Sequence, residues 1–317
     1  MRLATVDIGT NSVLLLIVER SADGALQVLE ETCLITRLGQ GVDHARVLRP
    51  AAIERTLAAL ATYAARLAHW RVTRRAAVGT SALRDATNGA AFLAEAATLL
   101  GCPVEVISGL REAQLVLRGV AGTQAGAALE PDTVVIDVGG GSTELIAIGA
   151  DGALRPPLSL DLGSVRLTER YLRHDPPTAD ELAQLRHELR CALTPITAGL
   201  PSPPARLIGV AGTVTTLAAI ALGLDSYDGS RVDGVHLTLA QIDELAQRLA
   251  RLPLEQRRTL PGLPAQRADV IVAGAILVAE LLRQLRAESC AVSDRGVRWG
   301  LARELAAAEA PQPVTPG

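Results

Sequence analysis

The sequence predicts an α/β protein of two lobes with like topology, each presenting one glycine-rich turn. Two observations lead there. Apolar strand-like runs alternate along the chain with segments of helical periodicity. A unit made of a strand ending in aspartate, a tight turn and a second apolar strand also occurs twice, as V-D-I-G-T-N-S-V-L-L-L-I-V from Val6 and I-D-V-G-G-G-S-T-E-L-I-A-I from Ile136, each followed by A-D-G-A-L. In that register Asp7 matches Asp137, Gly9 matches Gly139 and Ser12 matches Ser142. An internal repeat of a whole hairpin points to a duplicated lobe.

The elements follow in order. Strands are expected over 3–8, 13–18, 76–79, 104–107, 133–138, 144–148 and 207–210 from their apolar, β-branched runs. Pro50 opens a helix whose apolar face runs through Ile53, Leu57, Leu60, Ala64 and Leu67. Thr178 and Glu181 form a capping box ahead of Leu182, Leu185, Leu189 and Leu193, with Pro195 near the stop; Thr238 and Gln241 repeat it ahead of Ile242, Leu245 and Leu249. The apolar run 270–282 contains Glu280 and is too short to span a bilayer, so it reads as lobe core. A chain of 317 residues suits two domains. The expected division is a first lobe over 1–124, a second over 125–300, a final helix over 301–310 packing back on the first lobe, and a frayed tail over 311–317.

Composition narrows the chemistry. All 31 basic residues are arginine, and without lysine there is no P-loop lysine, no Schiff-base lysine and no lysine general base. Codon bias is the simplest origin of that absence. Aromatic residues make up 2% of the chain, too few for binding dominated by base stacking. A net charge of −3 supplies no field that would draw nucleic acid or an acidic membrane. The arginines at 71, 74 and 75 read as a solvated loop. Cys33, Cys102, Cys191 and Cys290 are far apart, which suggests neither a zinc site nor a disulfide framework and suits a reducing cytoplasm. The apolar N-terminal run carries Asp7, Asn11 and Ser12 and lacks the pattern of a signal peptide. His44, His69, His174, His187 and His236 show no metal-ligand spacing.

The turns suit phosphate. In Gly139-Gly140-Gly141-Ser142 no bulky side chain stands in the way, so successive backbone N–H groups can converge on an anion. Asp137 repels phosphate, and its sensible partner is a hard divalent cation, Mg²⁺ or Mn²⁺, bridging carboxylate and phosphate oxygens. Glu144, two residues beyond Ser142, points to the same strand face. A third turn, Gly209 to Thr213, again follows an apolar strand.

Six segments carry a resemblance: V-D-I-G-T-N-S from Val6, T-S-A-L-R-D-A-T-N from Thr80, I-S-G-L-R-E-A from Ile107, V-I-D-V-G-G-G-S-T-E-L from Val135, A-G-T-V-T-T-L from Ala211 and S-D-R-G-V-R-W-G-L from Ser293. In this order along nearly the whole chain, they resemble the exopolyphosphatase and guanosine pentaphosphate phosphohydrolase family. The resemblance implies two ribonuclease-H-like lobes of the actin, Hsp70 and sugar kinase superfamily with the active site in the interlobe cleft. It implies hydrolysis of a terminal phosphoryl group of inorganic polyphosphate or, as the alternative, of guanosine pentaphosphate, and a homodimer. Carried over by residue, Glu112 matches the glutamate that activates water, and Asp137 and Glu144 match the metal-binding acids. Asp7, Gly9, Thr10, Asn11, Ser12, Gly139, Gly140, Gly141, Ser142, Gly212 and Thr213 match phosphate-binding loops, and Arg84 a phosphate-contacting arginine.

Two departures stand out. Many members place an acid before the catalytic glutamate, whereas here Arg111 stands there, lowering the Glu112 pKa, adding a phosphate contact, or solvated at a helix start. Longer members add helical domains, so a form ending after two lobes is expected to favour short polyphosphates. Asp294 with Arg295 reads as an internal ion pair, and Arg267 with Asp269 is open in the same way. A sugar or acetate kinase and a non-catalytic polyphosphate sensor are the rival classes; the placement of Glu112 before the second lobe weighs against the first and the filled catalytic positions against the second.

Overall fold

The computed structural model describes residues 1–122 and 129–308. The expected division between 124 and 125 and the expected tail over 311–317 lie outside the described residues. The first half runs β1 (Arg2–Ile8), β2 (Ser12–Arg20), β3 (Leu26–Ile35), α1 (Val42–Ala45), α2 (Pro50–His69), β4 (Arg74–Gly79), α3 (Ser81–Asp85), α4 (Gly89–Leu100), β5 (Val104–Val106) and α5 (Gly109–Ala121). The second continues with β6 (Thr133–Val138), β7 (Thr143–Ala147), β8 (Leu158–Leu160), α6 (Ser164–Tyr171), α7 (Ala179–Thr197), β9 (Arg206–Val210) and α8 (Ala211–Ala221). It closes with α9 (Gly229–Val232), β10 (His236–Thr238), α10 (Leu239–Arg251), α11 (Leu254–Arg257), α12 (Ile271–Gln284), β11 (Ser289–Val292) and α13 (Val297–Ala307).

The repeat in sequence is a repeat in topology. One sheet has the order β3-β2-β1-β4-β5; the other reads β8-β7-β6-β9-β11 in the same sense, with β10 added at its edge. In both, the first hairpin and its neighbour pair antiparallel, and the strands on the other side join in parallel. These are two ribonuclease-H-like α/β lobes of one topology, as the repeat predicted.

Each lobe has its own core. In the first, Leu60, Tyr63 and Leu67 of α2 pack with Ile8, Val13 and Leu15, and the Tyr63 hydroxyl donates to the Val13 carbonyl at 2.8 Å. Burying each such leucine stabilises the lobe by about 1.5–3 kcal/mol. In the second, every residue from Ile271 to Leu282 of α12 is buried, so the apolar run is lobe core as its composition suggested. A third cluster joins Val78 and Ile107 of one lobe, Ala113 and Val116 of α5, Ile146 and Ile208 of the other, and Val297 of α13. Helix α5 is therefore held at the junction of the lobes. Helix α13 lays Trp299, Ala302 and Ala306 on Leu3, Leu16 and Val18 of the first sheet.

Both capping boxes form, with Thr178 accepting from the Glu181 N–H and Thr238 from the Gln241 N–H, each at 3.2 Å. Pro195 lies near the stop of α7, as expected, inside the last turn before Thr197. Arg74 and Arg75 are strand residues opening β4 rather than part of a loop. No described helix is long and apolar enough to cross a membrane.

Candidate active site

The two hairpin turns face each other across the lobes. In both, the first glycine N–H donates to the serine carbonyl, Gly9 to Ser12 at 2.9 Å and Gly139 to Ser142 at 3.0 Å. Of the remaining carbonyls, all but Gly9 O are occupied by protein donors. Thr10 O accepts from Gly39 N, Asn11 O from Thr36 N and Arg37 N, Gly139 O from Ser164 N, Gly140 O from Val165 N, and Gly141 O from Arg166 Nε. The N–H groups of Thr10, Asn11, Gly140 and Gly141 have no protein acceptor among the described residues. Each turn is thus a concave set of unspent donors, the electrostatics that bind anions.

Side chains add to this. Asp7 Oδ1, Thr10 Oγ1 and Asn11 Oδ1 are buried without a hydrogen-bond partner among the described residues. Buried polar atoms are almost always satisfied, so three orphans in one turn point to a missing ligand. Glycine at 141 is required by close approach: a Cβ there would lie 2.5 Å from Ser81 Oγ and 2.6 Å from Thr10 Oγ1.

Both turns open on one cavity of about 770 Å³, also walled by Thr80, Ser81, Glu112, Asp137, Gly212, Thr213 and Arg267. Asp7 and Asp137 enter it from the ends of equivalent strands. The third turn contributes at the start of α8, where Ala211 adopts φ +67°; such left-handed conformations of non-glycine residues cluster at ligand sites.

Glu112 sits in the first turn of α5, which Ser108 caps by accepting from Arg111 N at 3.2 Å. Its carboxylate accepts from Arg84 Nη1 at 2.6 Å, and the same nitrogen donates to Ile107 O at 2.9 Å. Burial pushes the Glu112 carboxyl above its usual range while the Arg84 charge pulls it back. Asp7 is pushed up to about 7, by burial first and then by the Glu112 charge, with Arg298 opposing. Asp137 is raised well above the ordinary range by burial, Glu112 and Asp7. Glu144 is raised likewise by burial, Glu112 and Asp137, while the Ser159 hydrogen bond and Arg84 oppose. Four buried carboxyls sharing one region cannot all be charged at once unless a cation balances them; otherwise some keep their protons.

Two residues sit differently from expectation. Arg84 is not among the residues lining the cavity; Nη1 of its guanidinium is engaged by both Glu112 and the Ile107 carbonyl, so it holds the carboxylate. Glu144 is 1% exposed, accepts from Ser159 Oγ at 2.8 Å and stands behind Asp137, its register partner across β6 and β7, away from the wall. Gly9, Thr10, Asn11, Ser12, Gly139, Gly140, Gly141, Ser142, Gly212 and Thr213 all line the cavity.

The donor set can be tested against a divalent cation. No group of three or more acidic, histidine or cysteine side chains with metal-binding geometry occurs among the described residues. Mg²⁺ commonly takes one or two carboxylates and fills its shell with water and phosphate oxygens. Asp7, whose orphaned Oδ1 is buried at the cavity, and Asp137 match that smaller requirement; Glu144 would act only from behind.

Arg267, left open beside Asp269 on sequence grounds, stands at the cavity. Its guanidinium occupies the space where a Cβ on Gly212 would fall, and Nη2 lies 3.4 Å from Ser12 Oγ and 3.6 Å from Cys33 Sγ. It brings a positive charge between the turns of the two lobes, from 255 residues away in sequence, and nothing in its local sequence marks it. Its expected companion Asp269 pairs with Arg37 at 2.6 Å. Asp294 pairs with Arg298 at 2.8 Å and accepts from the Tyr227 hydroxyl at 2.6 Å, while Arg295 stacks on Trp299, so the expected Asp294–Arg295 pair does not form. Arg111 forks onto Glu304, with one contact at 2.8 Å, and does not act on Glu112.

The arrangement is shared with known proteins. A family model described as the Ppx/GppA phosphatase family matches residues 17–309. The chain is 40% identical to Exopolyphosphatase 2 of Mycobacterium tuberculosis over 318 residues, covering 96% of this chain and 98% of the relative. Among solved structures it is similar to an exopolyphosphatase-like protein, with a TM-score of 0.88, 30% identity and 96% and 97% of the two chains covered. It is also similar to an Aquifex aeolicus Ppx/GppA family member, with a TM-score of 0.77, 33% identity and coverage of 96% and 97%. An exopolyphosphatase from Cytophaga hutchinsonii aligns with a TM-score of 0.86 at 27% identity, covering 98% and 99%.

Proposed function

The chain belongs to the Ppx/GppA phosphatase family, and from that premise we propose that it is an exopolyphosphatase that removes the terminal phosphoryl group of inorganic polyphosphate by direct attack of water. The observation that carries this reading is the polarity of the two facing turns, whose carbonyls other than Gly9 O are engaged inside the protein and whose Thr10, Asn11, Gly140 and Gly141 N–H groups have no protein acceptor among the described residues. A polyanion is the ligand such turns suit.

The division of labour follows from placement. The turn N–H groups, the hydroxyls of Thr10 and Thr213 and the Arg267 guanidinium grip phosphate oxygens. Glu112, raised by burial and oriented by Arg84, takes a proton from the attacking water. Asp7 and Asp137 would hold Mg²⁺ or Mn²⁺, which when bound neutralises charge on the phosphate oxygens. Glu144 adds negative potential behind Asp137 and fixes its neighbour's position on the sheet. No covalent intermediate and no lysine are needed. A preference for short chains is part of this reading, and the unpaired cysteines suit a reducing cytoplasm. The homodimer is part of the same reading.

A phosphate-release panel with Mg²⁺, comparing short and long polyphosphate, guanosine pentaphosphate, ATP, and ATP with sugars, tests it. Turnover of polyphosphate, fastest on short chains, is expected. Turnover confined to guanosine pentaphosphate, or to ATP with a sugar, would replace this reading with a nucleotide phosphohydrolase or a kinase.

A further inference from the structure

Arg166 is a charged residue at 4% exposure in helix α6 of the second lobe, with no place in the chemistry above. Its guanidinium is spent entirely on the junction of the lobes. Nε donates to Gly141 O of the second turn at 2.8 Å. Nη1 pairs with Asp43 of α1, and Nη2 reaches Asp85 Oδ2 at 2.6 Å and Ser81 Oγ at 3.4 Å, both on α3. Asp43 is gripped a second time by Arg170, at 2.6 and 2.8 Å. Asp85 is the immediate neighbour of Arg84, which holds Glu112.

A continuous set of hydrogen bonds therefore runs from the second-lobe turn through Arg166 and Asp85 to the short helix α3, and from Arg84 on that helix to Glu112. A single planar fork satisfies the turn carbonyl and the first-lobe acids at once, a geometry that fixes relative position in a way a flexible ammonium would not. Buried ionic networks contribute little net stability, and their best-attested use is to fix register.

We propose that Arg166 is a positioning residue that sets the distance between the second phosphate turn and the Glu112 carboxylate. It rests on the reading that Glu112 acts on a phosphate held by that turn. Arg166 does not line the cavity. By holding the Gly141 carbonyl it keeps the turn's N–H groups toward the cavity, and by holding Asp85 it keeps α3 in the place from which Arg84 aims Glu112. Loss of the fork leaves each half of the site intact and misregistered.

The test uses the full chain with Arg166→Gln, Arg166→Lys and Asp85→Asn. Arg166→Gln is expected to lower kcat for phosphate release by about 10- to 100-fold, the cost of a misplacement near 1 Å, with KM within about threefold. Arg166→Lys, which can keep one partner and not all, should fall between that variant and the wild type. Asp85→Asn, which leaves Arg166 anchored to Gly141 and Asp43, should give the same split with smaller amplitude, and combined with Arg166→Gln should add little further loss. Amide exchange should rise together in residues 139–142 and 81–85 of Arg166→Gln while α12 keeps its protection. An unchanged kcat with a lowered melting temperature, a rise in KM alone, or faster exchange in only one of the two segments would overturn the proposal. If the wild type released no phosphate, the functional reading would fail, while the paired exchange measurement would still decide the role of Arg166.

Discussion

The turns at residues 9–12 and 139–142 have the same backbone and opposite equipment. Both follow a strand that ends in a buried aspartate, and both close through a glycine-to-serine hydrogen bond of nearly equal length. The first fills its middle with Thr10 and Asn11; the second leaves glycine there, and the Thr10 and Asn11 side chains pack into the space thus freed. The residue opposite the aspartate differs as well, Leu14 in the first hairpin and Glu144 in the second. Arg298 relieves Asp7 and no basic group does the same for Asp137. Duplication preserved the anion-binding backbone while the copies diverged, one supplying polar side chains and the other clearance and concentrated negative charge.

That difference makes the two aspartates unequal. Asp137→Asn is expected to lower phosphate release on the order of 10²- to 10³-fold, the scale of losing metal-supported charge neutralisation, and to raise the Mg²⁺ concentration for half-maximal rate. Asp7→Asn should have a smaller effect on both, because Arg298 already offsets part of its charge. Equal losses, read from rate against Mg²⁺ titrations, would erase the distinction between the turns.

The middle positions give the next effect. Gly141→Ala forces a Cβ against Ser81 and Thr10 and is expected to cost about 1–3 kcal/mol of stability and most of the activity. Gly139→Ala would meet only Ser142 O, at 3.2 Å, and should cost less than about 1 kcal/mol. Denaturant melts of the two variants separate the requirement for clearance from a general demand for glycine.

The smallest effect is a shift of stability with pH. Asp7, Asp137, Glu144 and Glu112 all bind protons more tightly folded than unfolded. Their contribution is present at low pH, below the ordinary carboxyl range, and is lost as pH rises through the folded values, about 7 for Asp7. In chelator, the melting temperature should therefore fall by several degrees between mildly acidic and mildly alkaline pH, and Mg²⁺ should restore more of it at the alkaline end. A flat melting profile in chelator would mean that the four carboxyls do not share one field.

Much of this was legible in the sequence because the repeat encodes both backbone and register. The paired turns, the capping boxes at Thr178 and Thr238 and the buried run of α12 follow from local chemistry. Strand β3 escaped notice because it is half-exposed, carries Glu30 and Glu31, and has a register shift opposite Ile17 and Val18 that breaks alternation. Strands β8 and β10, of three residues each, are too short to show a period. In the site, motif residues located the cavity, but motifs do not say which way a side chain turns. Arg84 turns to Glu112, Glu144 to Ser159 and Arg111 to Glu304, choices set by partners distant in sequence. Arg166, and the place of Arg267 beside Ser12, became visible only when the lobes were brought together.

The absence of lysine is accommodated in the same geometry. Backbone N–H groups and Arg267 stand at the cavity, and the buried Arg166 and half-buried Arg84 hold its walls, so fixed guanidinium forks perform tasks for which a mobile ammonium is poorly shaped.

The central claim is that Glu112, aimed by Arg84 between the two turns, removes the proton from the attacking water. The direct test is phosphate release from polyphosphate by Glu112→Gln, measured beside polyphosphate binding by the same variant. The account predicts a loss on the order of 10³-fold in turnover with binding kept within about threefold. Turnover near the wild-type rate in that variant would contradict it.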